Sequence, residues 1–528
     1  MELYEGTFLM RLRDWREQYR DKPALCCENK VLSFRTLQEQ AEQAAAVLLK
    51  NGFKAGEKAV LWGYNSIEWV IAFLAVTAAG GTAVLMNYGI RVKEAGALAK
   101  MVGAQWLLYG TTAATMHDPS APETFAAAAG IATAHCQPFS FLQERSIDSA
   151  EQSALLNAAA MMTHPHDSQV IIYTTGTTAE PKAVQLSAYS ILNDANGCYI
   201  MLQQDIGDSI CNALPLFHSY GLLILFAYLS CGRTVYLVPL LKPDKIAALL
   251  HDHVIDDMAS VGTIYEMLTR LPHFSETVAS HLNIGIVGGG FTSPTEMMRL
   301  EQFFQGTKIL CGYGQTECSP VISVERADDP LSLRAHAVGH ILPGLDVRIW
   351  DEQKGFVRQG ETGEIVVKGY CTMNGYYGRS RQEGPFDQDG WLHTGDIGRM
   401  IGEDVLQLTG RLKEIIVRCG ENISPTEVEQ ALLSIKNIRS AKVLGWPHPI
   451  WGESIEACIV WEQPLISSQE ETQIAEDILR QLRQKLSSYK LPSHIFFFEH
   501  FPLTTGGKTD RRALLLQLEQ RMTGCFHR

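Results

Sequence analysis

The order of hydrophobic and polar positions predicts helices and short strands that alternate along the first half of the chain. Near the start, apolar residues recur at helical spacing at Phe8, Leu12, Trp15 and Tyr19. An Ala-rich helix is expected from about Thr36 to Lys50, and the apolar run Lys58 to Trp62 has the length of a strand. This alternation favours an α/β protein in which helices flank the sheets.

Two uncharged stretches, Trp69 to Met86 and Ala213 to Gly232, resemble membrane spans in composition. Gly80 and Gly81 divide the first stretch into a helix and a short strand, and Pro215 interrupts the second. A membrane span needs roughly 20 predominantly apolar residues without such interruptions. We therefore expect both stretches to be buried core and the protein to lack a membrane span.

The pattern becomes richer in strands after about residue 335, with hairpin-like strands between Asp396 and Glu414. Farther along, a helix is predicted from Pro425 to Ile435, a strand from Ala457 to Trp461 and a helix from Ile474 to Leu486. These elements predict a small C-terminal α+β domain of about a hundred residues, which lies within the usual range of domain sizes.

Composition narrows the class of protein. The chain has 528 residues, of which 46% are hydrophobic and 20% charged, and its formal net charge is -13 without a run of basic residues. Nucleic acid is therefore not expected as a partner. The twelve cysteines show no metal-ligand spacing, and Arg11, Arg13 and Asp14 interrupt the start of the chain where a signal peptide would be apolar. A cytoplasmic protein with reduced thiols is expected.

The first segment with candidate chemistry is a Thr-rich loop that follows the strand-like run Val170 to Tyr173. Its hydroxyls, backbone amides and lysine can donate hydrogen bonds to phosphate oxygens. The donors are Thr174, Thr175, Gly176, Thr177, Thr178 and Lys182. The spacing differs from that of a Walker loop, and a polar surface turn is the alternative.

The second segment runs from Gly312 to Glu317 after a strand-like run. Gly312 and Gly314 allow the backbone to approach a ligand closely, Tyr313 offers a flat face to a base, and Glu317 offers a hard oxygen ligand for Mg²⁺. The alternative is a tight turn with one solvated acid. The upstream run Gly288 to Gly290 is equally open between a ligand contact and a simple turn.

Two further segments lie towards the C-terminus. Asp396 can accept hydrogen bonds from a ribose diol, and Arg411 can reach the same ribose or a phosphate. The loop Leu503 to Lys508 presents one lysine between small polar residues. On its own, Lys508 would be interpreted as a solvated lysine.

Taken together, the order and spacing of these segments resemble the adenylate-forming superfamily of acyl-CoA and aryl-CoA synthetases, nonribosomal peptide adenylation domains and beetle luciferases. The resemblance covers nearly the whole chain and includes the stretch 410–429. It implies a large N-terminal domain of helix-flanked sheets with a β-rich subdomain, residues 1–411, and a small mobile C-terminal α+β domain, residues 412–528.

The resemblance also implies residue roles. The Thr-rich loop and Lys182 would hold the β- and γ-phosphates of ATP, with Gly289, Gly290, Gly312, Tyr313 and Gly314 lining the nucleotide site. Tyr313 would stack on adenine, Thr316 would contact the α-phosphate and Glu317 would bind Mg²⁺. Asp396 and Arg411 would bind ribose, Lys508 would bridge the substrate carboxylate and the α-phosphate, and Lys413 would be the hinge.

The expected activity is that of an AMP-forming acid-thiol ligase using ATP, Mg²⁺ and coenzyme A. Gly420, Glu421 and Asn422 match the loop that lines the pantetheine tunnel, which a carrier-protein phosphopantetheine would also use. Amino-acid-activating relatives have an aspartate where this chain has His218, so a fatty or aromatic acid is expected, since an unpaired buried ammonium is costly. The neighbouring Tyr220, Phe291 and Val321 are suitable for either acid class, and a packed core histidine is the alternative for His218.

The chain departs from the family pattern at four positions, of which Thr175, where serine is common, is a mild change. Ala179 and Ala183 replace glycines that commonly flank the Pro-Lys pair, and Ala188 stands where histidine is frequent. If position 179 required a positive φ, alanine would strain the loop there. Two alternatives therefore stay open: a catalytically weakened adenylate-binding protein, and a different nucleotide enzyme such as a kinase, which would release ADP.

Overall fold

The structure of the protein, a computed structural model, describes residues 1–143, 147–174, 181–271, 274, 281–288, 294–418, 421–463, 468–504 and 508–525. The strands are β1 Pro23–Cys27, β2 Lys30–Ser33, β3 Lys58–Trp62, β4 Thr82–Leu85, β5 Trp106–Tyr109, β6 Cys136–Pro138, β7 Ser168–Thr174, β8 Lys182–Ser187, β9 Ser209–Asn212, β10 Thr234–Leu237, β11 Asp257–Ser260, β12 Ile284–Val287, β13 Lys308–Tyr313, β14 Ser323–Val324, β15 His340–Ile341, β16 Asp346–Asp351, β17 Gly355–Phe356, β18 Gly363–Lys368, β19 Gly375–Tyr376, β20 Leu392–Met400, β21 Leu406–Arg411, β22 Ile416–Arg418, β23 Glu421–Ile423, β24 Ile438–His448, β25 Gly452–Trp461 and β26 His494–Phe498.

The helices connect and cover these strands. They are α1 Phe8–Tyr19, α2 Phe34–Lys50, α3 Ile67–Ala78, α4 Val92–Met101, α5 Ala113–His117, α6 Ala121–Ala129, α7 Ser149–Ala160, α8 Ala188–Leu202, α9 Ser219–Ser230, α10 Pro243–Asp252, α11 Gly262–Leu268, α12 Pro294–Phe303, α13 Leu331–Arg334, α14 Pro425–Leu433, α15 Ser468–Leu482 and α16 Arg511–Cys525.

Over the described residues the strands form four sheets. The largest has the order β15-β14-β13-β12-β11-β9-β10-β1-β2, and a second has the order β19-β8-β7-β4-β3-β5-β6. Their inner strands, β9 to β13 in the first and β3, β4, β5 and β7 in the second, pair in parallel. Helices flank both sheets, so the predicted α/β class is confirmed.

The two smaller sheets follow in the chain. Strands β17-β16-β18-β20-β21 form an antiparallel sheet, the predicted β-rich subdomain. Strands β22 to β26 form the sheet of the C-terminal part, which α14, α15 and α16 accompany. The α+β character predicted for this part is therefore confirmed.

The hydrophobic cores divide along the chain. One continuous core joins the two large sheets and reaches from Phe8 to Leu406, whereas two further clusters contain only residues between Ile416 and Met522. The proposed boundary between residues 411 and 412 lies between these clusters and stays a prediction.

Local signals account for the elements near the site. The side chain of Ser66 accepts a hydrogen bond from the Trp69 amide and begins α3, and β3 has the predicted bounds. Both stretches that resemble membrane spans are buried core, and within the described residues no helix is long and apolar enough to cross a membrane. The helix predicted from Ile474 to Leu486 is α15, which runs from Ser468 to Leu482. The prediction missed the start of α15 because the first turn is polar and the apolar pattern does not reveal it. Glu470 and Glu471 in that turn favour a helix N-terminus.

Candidate active site

The middle of β20 and the end of β21 place Asp396 and Arg411 directly opposite each other. Nε of Arg411 lies 2.8 Å from Oδ1 of Asp396. The hydroxyl of Tyr313, at the end of β13, donates to Oδ2 of Asp396 at 2.9 Å. Three predicted nucleotide-binding residues from distant parts of the sequence therefore meet at one carboxylate.

Asp396 is almost fully buried, and burial raises its pKa, while the positive charge of Arg411 acts in the opposite direction. Each carboxylate oxygen already accepts one hydrogen bond. Since an ionised carboxyl group has about four acceptor positions, further hydroxyl donors can bind to the same group. The arrangement is suitable for holding a ribose diol.

Gly312 and Gly314 allow two segments of the protein to pack closely together. A Cβ atom at Gly314 would lie 2.0 Å from the carbonyl oxygen of Pro320, and one at Gly312 would lie 3.1 Å from the hydroxyl of Tyr220. The absence of a Cβ at Gly314 therefore allows close packing against Pro320, and a contact of Gly312 and Gly314 with a nucleotide stays a prediction.

Thr316 and Glu317 lie in a 3₁₀ turn, Thr316–Cys318, directly after β13. Oγ1 of Thr316 lies 3.3 Å from Oγ of Ser219, the first residue of α9. Oε1 of Glu317 accepts a hydrogen bond from the hydroxyl of Tyr376 at 2.9 Å. Ser219 and Tyr376 were not identified from the sequence, in which a serine at a helix start and a tyrosine in a strand carry no distinguishing signal.

The base of the Thr-rich loop is formed by β7 and β8, where Thr174 pairs with Lys182. Oγ1 of Thr174 is buried and has no hydrogen-bond partner among the described residues. A hydroxyl at this position can donate a hydrogen bond to a phosphate oxygen, and that role of Thr174 stays a prediction. Thr175, Gly176, Thr177 and Thr178 lie outside the described residues, as does Ala179.

The remaining departures from the family pattern lie in regular structure. Ala183 is buried in β8, where it pairs with Tyr173, and Ala188 is the first residue of α8. Neither has a positive φ. Alanine at these two positions therefore causes no backbone strain.

Lys508 lies within electrostatic range of two residues of the N-terminal part, Arg411 and His218. Burial of its ammonium group lowers the pKa of Lys508, and the nearby guanidinium of Arg411 lowers it further. Burial also lowers the pKa of His218 to about 4, with a smaller contribution from Lys508. The C-terminal lysine, the predicted ribose-binding arginine and His218, predicted as a catalytic residue, are thus electrostatic neighbours.

His218 lies at the N-cap position of α9 without a capping hydrogen bond from its side chain, and its ring centroid lies 4.3 Å from that of Phe217. With a pKa of about 4, its imidazole is neutral near pH 7 and offers hydrogen bonding without charge. Such a group can bind a carboxylate but cannot replace the carboxylate that a substrate ammonium requires.

A small apolar cavity of about 20 Å³ lies against α8 and α9. It is lined by Cys198, Tyr199, Leu202, Ile206, Tyr220, Leu223, Ile224, Ala227, Tyr228, Ile286, Val321 and Val324. The ring of Tyr220 packs against the backbone at Gly288, where a Cβ atom would lie 1.9 Å from it. Tyr220 and Val321 therefore line one cavity, as the sequence suggested. Phe291, Gly289 and Gly290 lie outside the described residues.

The connection between the two parts of the chain is a 3₁₀ turn, Leu412–Glu414, in which Lys413 is exposed. Oγ of Ser424 donates to the carbonyl of Thr409 at 2.6 Å, and Nη1 of Arg511 lies 3.2 Å from Oε2 of Glu414. Gly420 lies outside the described residues, while Glu421 and Asn422 belong to β23.

The donor set is suitable for ATP and Mg²⁺. The Thr174 hydroxyl and Lys182 can bind phosphate oxygens. Glu317 can supply one of the one or two carboxylates that Mg²⁺ commonly takes when substrate phosphates supply further ligands. In the part of the chain that the structure describes, no group of three or more His, Cys, Asp or Glu side chains could hold a metal without a substrate.

Comparison with known proteins identifies the family. Residues 12–377 match the family described as AMP-binding enzyme, and residues 427–508 match its C-terminal domain. The human protein named medium-chain acyl-CoA ligase ACSF2, mitochondrial, is 29% identical over 521 residues, which cover 93% of this chain and 84% of that protein. The Bacillus subtilis protein named putative acyl-CoA synthetase YngI is 26% identical and matches 97% of each chain.

A solved structure extends the likeness to the fold. The anthranilate CoA ligase AuaEII in complex with anthranoyl-AMP superposes with a TM-score of 0.84, at 20% identity and over 98% of each chain. At this identity the similarity supports the architecture alone.

Proposed function

Because the chain belongs to the family of AMP-binding enzymes, we propose that it is an AMP-forming acid-thiol ligase that activates an apolar carboxylic acid and transfers the acyl group to coenzyme A. One observation carries the proposal: Lys508 lies within electrostatic range of Arg411 and His218, which stand far from it in the sequence. Arg411 in turn binds Asp396, whose other oxygen accepts from Tyr313. The acyl-CoA ligase names of its relatives support the same reaction.

In the first half-reaction, a substrate carboxylate oxygen attacks the α-phosphorus of ATP, and the bond to pyrophosphate breaks. Asp396 and Arg411 hold the ribose, and Thr174 and Lys182 bind the departing phosphates. The ammonium of Lys508 lies between the carboxylate and the α-phosphate. A fixed cation at the position where charge moves stabilises the transition state more than the ground state. Glu317 would hold Mg²⁺, which neutralises phosphate charge when bound.

In the second half-reaction, the thiol sulfur of coenzyme A attacks the acyl carbon, its proton is lost and AMP leaves. We propose that the C-terminal part, residues 412–528, turns about Lys413 between the two steps and presents the loop at Gly420 to Asn422.

The acid is proposed to be aliphatic or aromatic and to lack an α-amino group. His218 is neutral near pH 7, and the cavity at Tyr220 is lined by apolar side chains. A substrate ammonium would be left without a carboxylate partner there. The name of the human relative favours a medium-length acyl chain as the first substrate to test.

A panel of straight-chain, aromatic and α-amino acids, scored for AMP release with and without coenzyme A, tests the proposal. Apolar acids should drive AMP and pyrophosphate release, and coenzyme A should give the acyl thioester. ATP without acid is the control. Release of ADP would indicate a kinase. Absence of AMP release with every acid of the panel would indicate an adenylate-binding protein. Transfer to a phosphopantetheinylated carrier protein in preference to coenzyme A would contradict the acceptor.

A further inference from the structure

Tyr376 contacts both Lys182, a candidate ligand of the phosphates, and Glu317, the candidate ligand of Mg²⁺. It belongs to β19, which pairs antiparallel with β8 and places Tyr376 opposite Val184, two residues beyond Lys182. Its side chain is buried, with 6% exposure. The strand thus carries a rigid side chain into the space between β8 and the turn that holds Glu317.

The hydroxyl of Tyr376 donates to Oε1 of Glu317 at 2.9 Å. The same segment also holds the backbone of that turn, because the amide of Met373 donates to the carbonyl of Glu317 at 2.9 Å. A carboxylate with one oxygen fixed by a buried donor has a restricted orientation. Groups that hold a metal-binding side chain in this way commonly determine how well it binds the metal.

The other side of the contact is made by the ring. Nζ of Lys182 lies 4.8 Å from the ring centroid of Tyr376, within the range of a cation–π interaction. Lys182 and Glu317 are 135 positions apart in the sequence, as their numbers show, yet both touch this one side chain.

We propose that Tyr376 is a positioning residue that orients Glu317 through its hydroxyl and Lys182 through its ring, and so sets the Mg²⁺ dependence of ATP binding. The inference rests on the proposed function, because it takes Glu317 and Lys182 as ligands of Mg²⁺ and the phosphates. A purely structural tyrosine would stabilise β19 without any effect on Mg²⁺.

The test compares Tyr376→Phe and Tyr376→Leu by calorimetric titration of ATP at a series of Mg²⁺ concentrations, without any carboxylic acid. The Phe variant keeps the ring and should need about tenfold more Mg²⁺ for half-maximal ATP binding, the lower end of the range for lost supporting contacts. The Leu variant should show the same loss and a further weakening of ATP binding at saturating Mg²⁺, because the contact to Lys182 is gone.

Tyr377→Phe is the matched control. Tyr377 is the next residue, its ring lies 5.1 Å from Nζ of Lys58, and its amide donates to the carbonyl of Ala183, which Phe preserves. This variant should bind Mg·ATP as the wild type does. The Glu317→Gln variant should itself need more Mg²⁺ for ATP binding. Adding Tyr376→Phe to that variant should have no additional effect, because both changes remove the carboxylate oriented by the tyrosine hydroxyl.

The possible results distinguish an error in the nucleotide site from an error in the positioning role of Tyr376. If the wild type binds no Mg·ATP, the nucleotide site and this inference are both wrong. If the wild type binds Mg·ATP and Tyr376→Phe leaves the Mg²⁺ dependence unchanged, only the positioning role is wrong. Equal effects of the Phe change with and without Glu317 would also contradict it.

Discussion

The large N-terminal part and the small C-terminal part contribute to the candidate site in different ways. The N-terminal groups are held by one another: Asp396 binds both Tyr313 and Arg411, and Glu317 binds Tyr376. The C-terminal part contributes Lys508 from a short loop, where the amide of Thr504 donates to the carbonyl of Lys508 at 2.7 Å.

This difference indicates that the N-terminal part binds the ligands and that Lys508 takes part in the chemical step. Groups fixed by buried partners are organised before the ligand arrives and suit binding, since little reorganisation is needed. A lysine on a loop of a separately packed part can enter for one step and leave for the next. We therefore expect changes at Lys508 to affect chemistry more than binding.

The largest expected effect is that of Lys508→Ala. It should lower the rate of adenylate formation on the order of a hundredfold to a thousandfold, as loss of one donor to a developing charge typically does. ATP binding should be nearly unchanged, because Asp396, Tyr313 and Glu317 remain. Pyrophosphate release in a single turnover and calorimetric ATP titration measure the two quantities.

Lys485→Ala is the control for this prediction. Lys485 is an exposed lysine of the same domain whose Nζ binds Oγ of Ser434, away from the site residues named above. Its removal should leave both measurements as in the wild type. Wild-type pyrophosphate release by the Lys508 variant would remove this lysine from the chemistry.

A second prediction concerns the connection between the two parts. Lys413→Pro should retain adenylate formation in a single turnover but slow acyl transfer from a supplied acyl-adenylate by on the order of a hundredfold, which corresponds to the roughly 3 kcal/mol cost of a misplaced proline. Proline fixes φ and removes a donor, so a residue that must adopt two backbone conformations is restricted to one.

Lys413→Ala, which leaves the backbone free, should support both half-reactions. If proline slowed both steps equally, or neither, Lys413 would be an exposed lysine of the 3₁₀ turn without a hinge role.

The sequence predicted the fold well where local signals act. Strand β3 and the start of α3 agree with the structure because a short apolar run and a capping serine are read over a few residues. The contacts of Tyr376 and Ser219 could not be predicted, since they join positions far apart in the chain. The meeting of Lys508, Arg411 and His218 was expected only from the family resemblance, because hydrophobic periodicity does not specify long-range placement.

The smallest expected effect concerns the charges around Lys508, and it tests whether the two parts are electrostatically coupled. Lys508 acts as a cation in the proposed reaction, so adenylation should fall as pH rises through its pKa. Burial and the guanidinium of Arg411 both lower that pKa, so the fall begins at lower pH than for an ordinary lysine.

Arg411→Gln removes one of these causes and should move the alkaline fall to higher pH. Arg411→Lys keeps the charge and should leave it in place. His218 also faces Lys508, but with a pKa of about 4 it is neutral throughout this range and does not contribute to the fall. Single-turnover pyrophosphate release at saturating ATP, measured over alkaline pH, separates this shift from weaker ribose binding. An alkaline fall at the same pH in the Gln variant and the wild type would show that Arg411 does not act on Lys508 during the reaction.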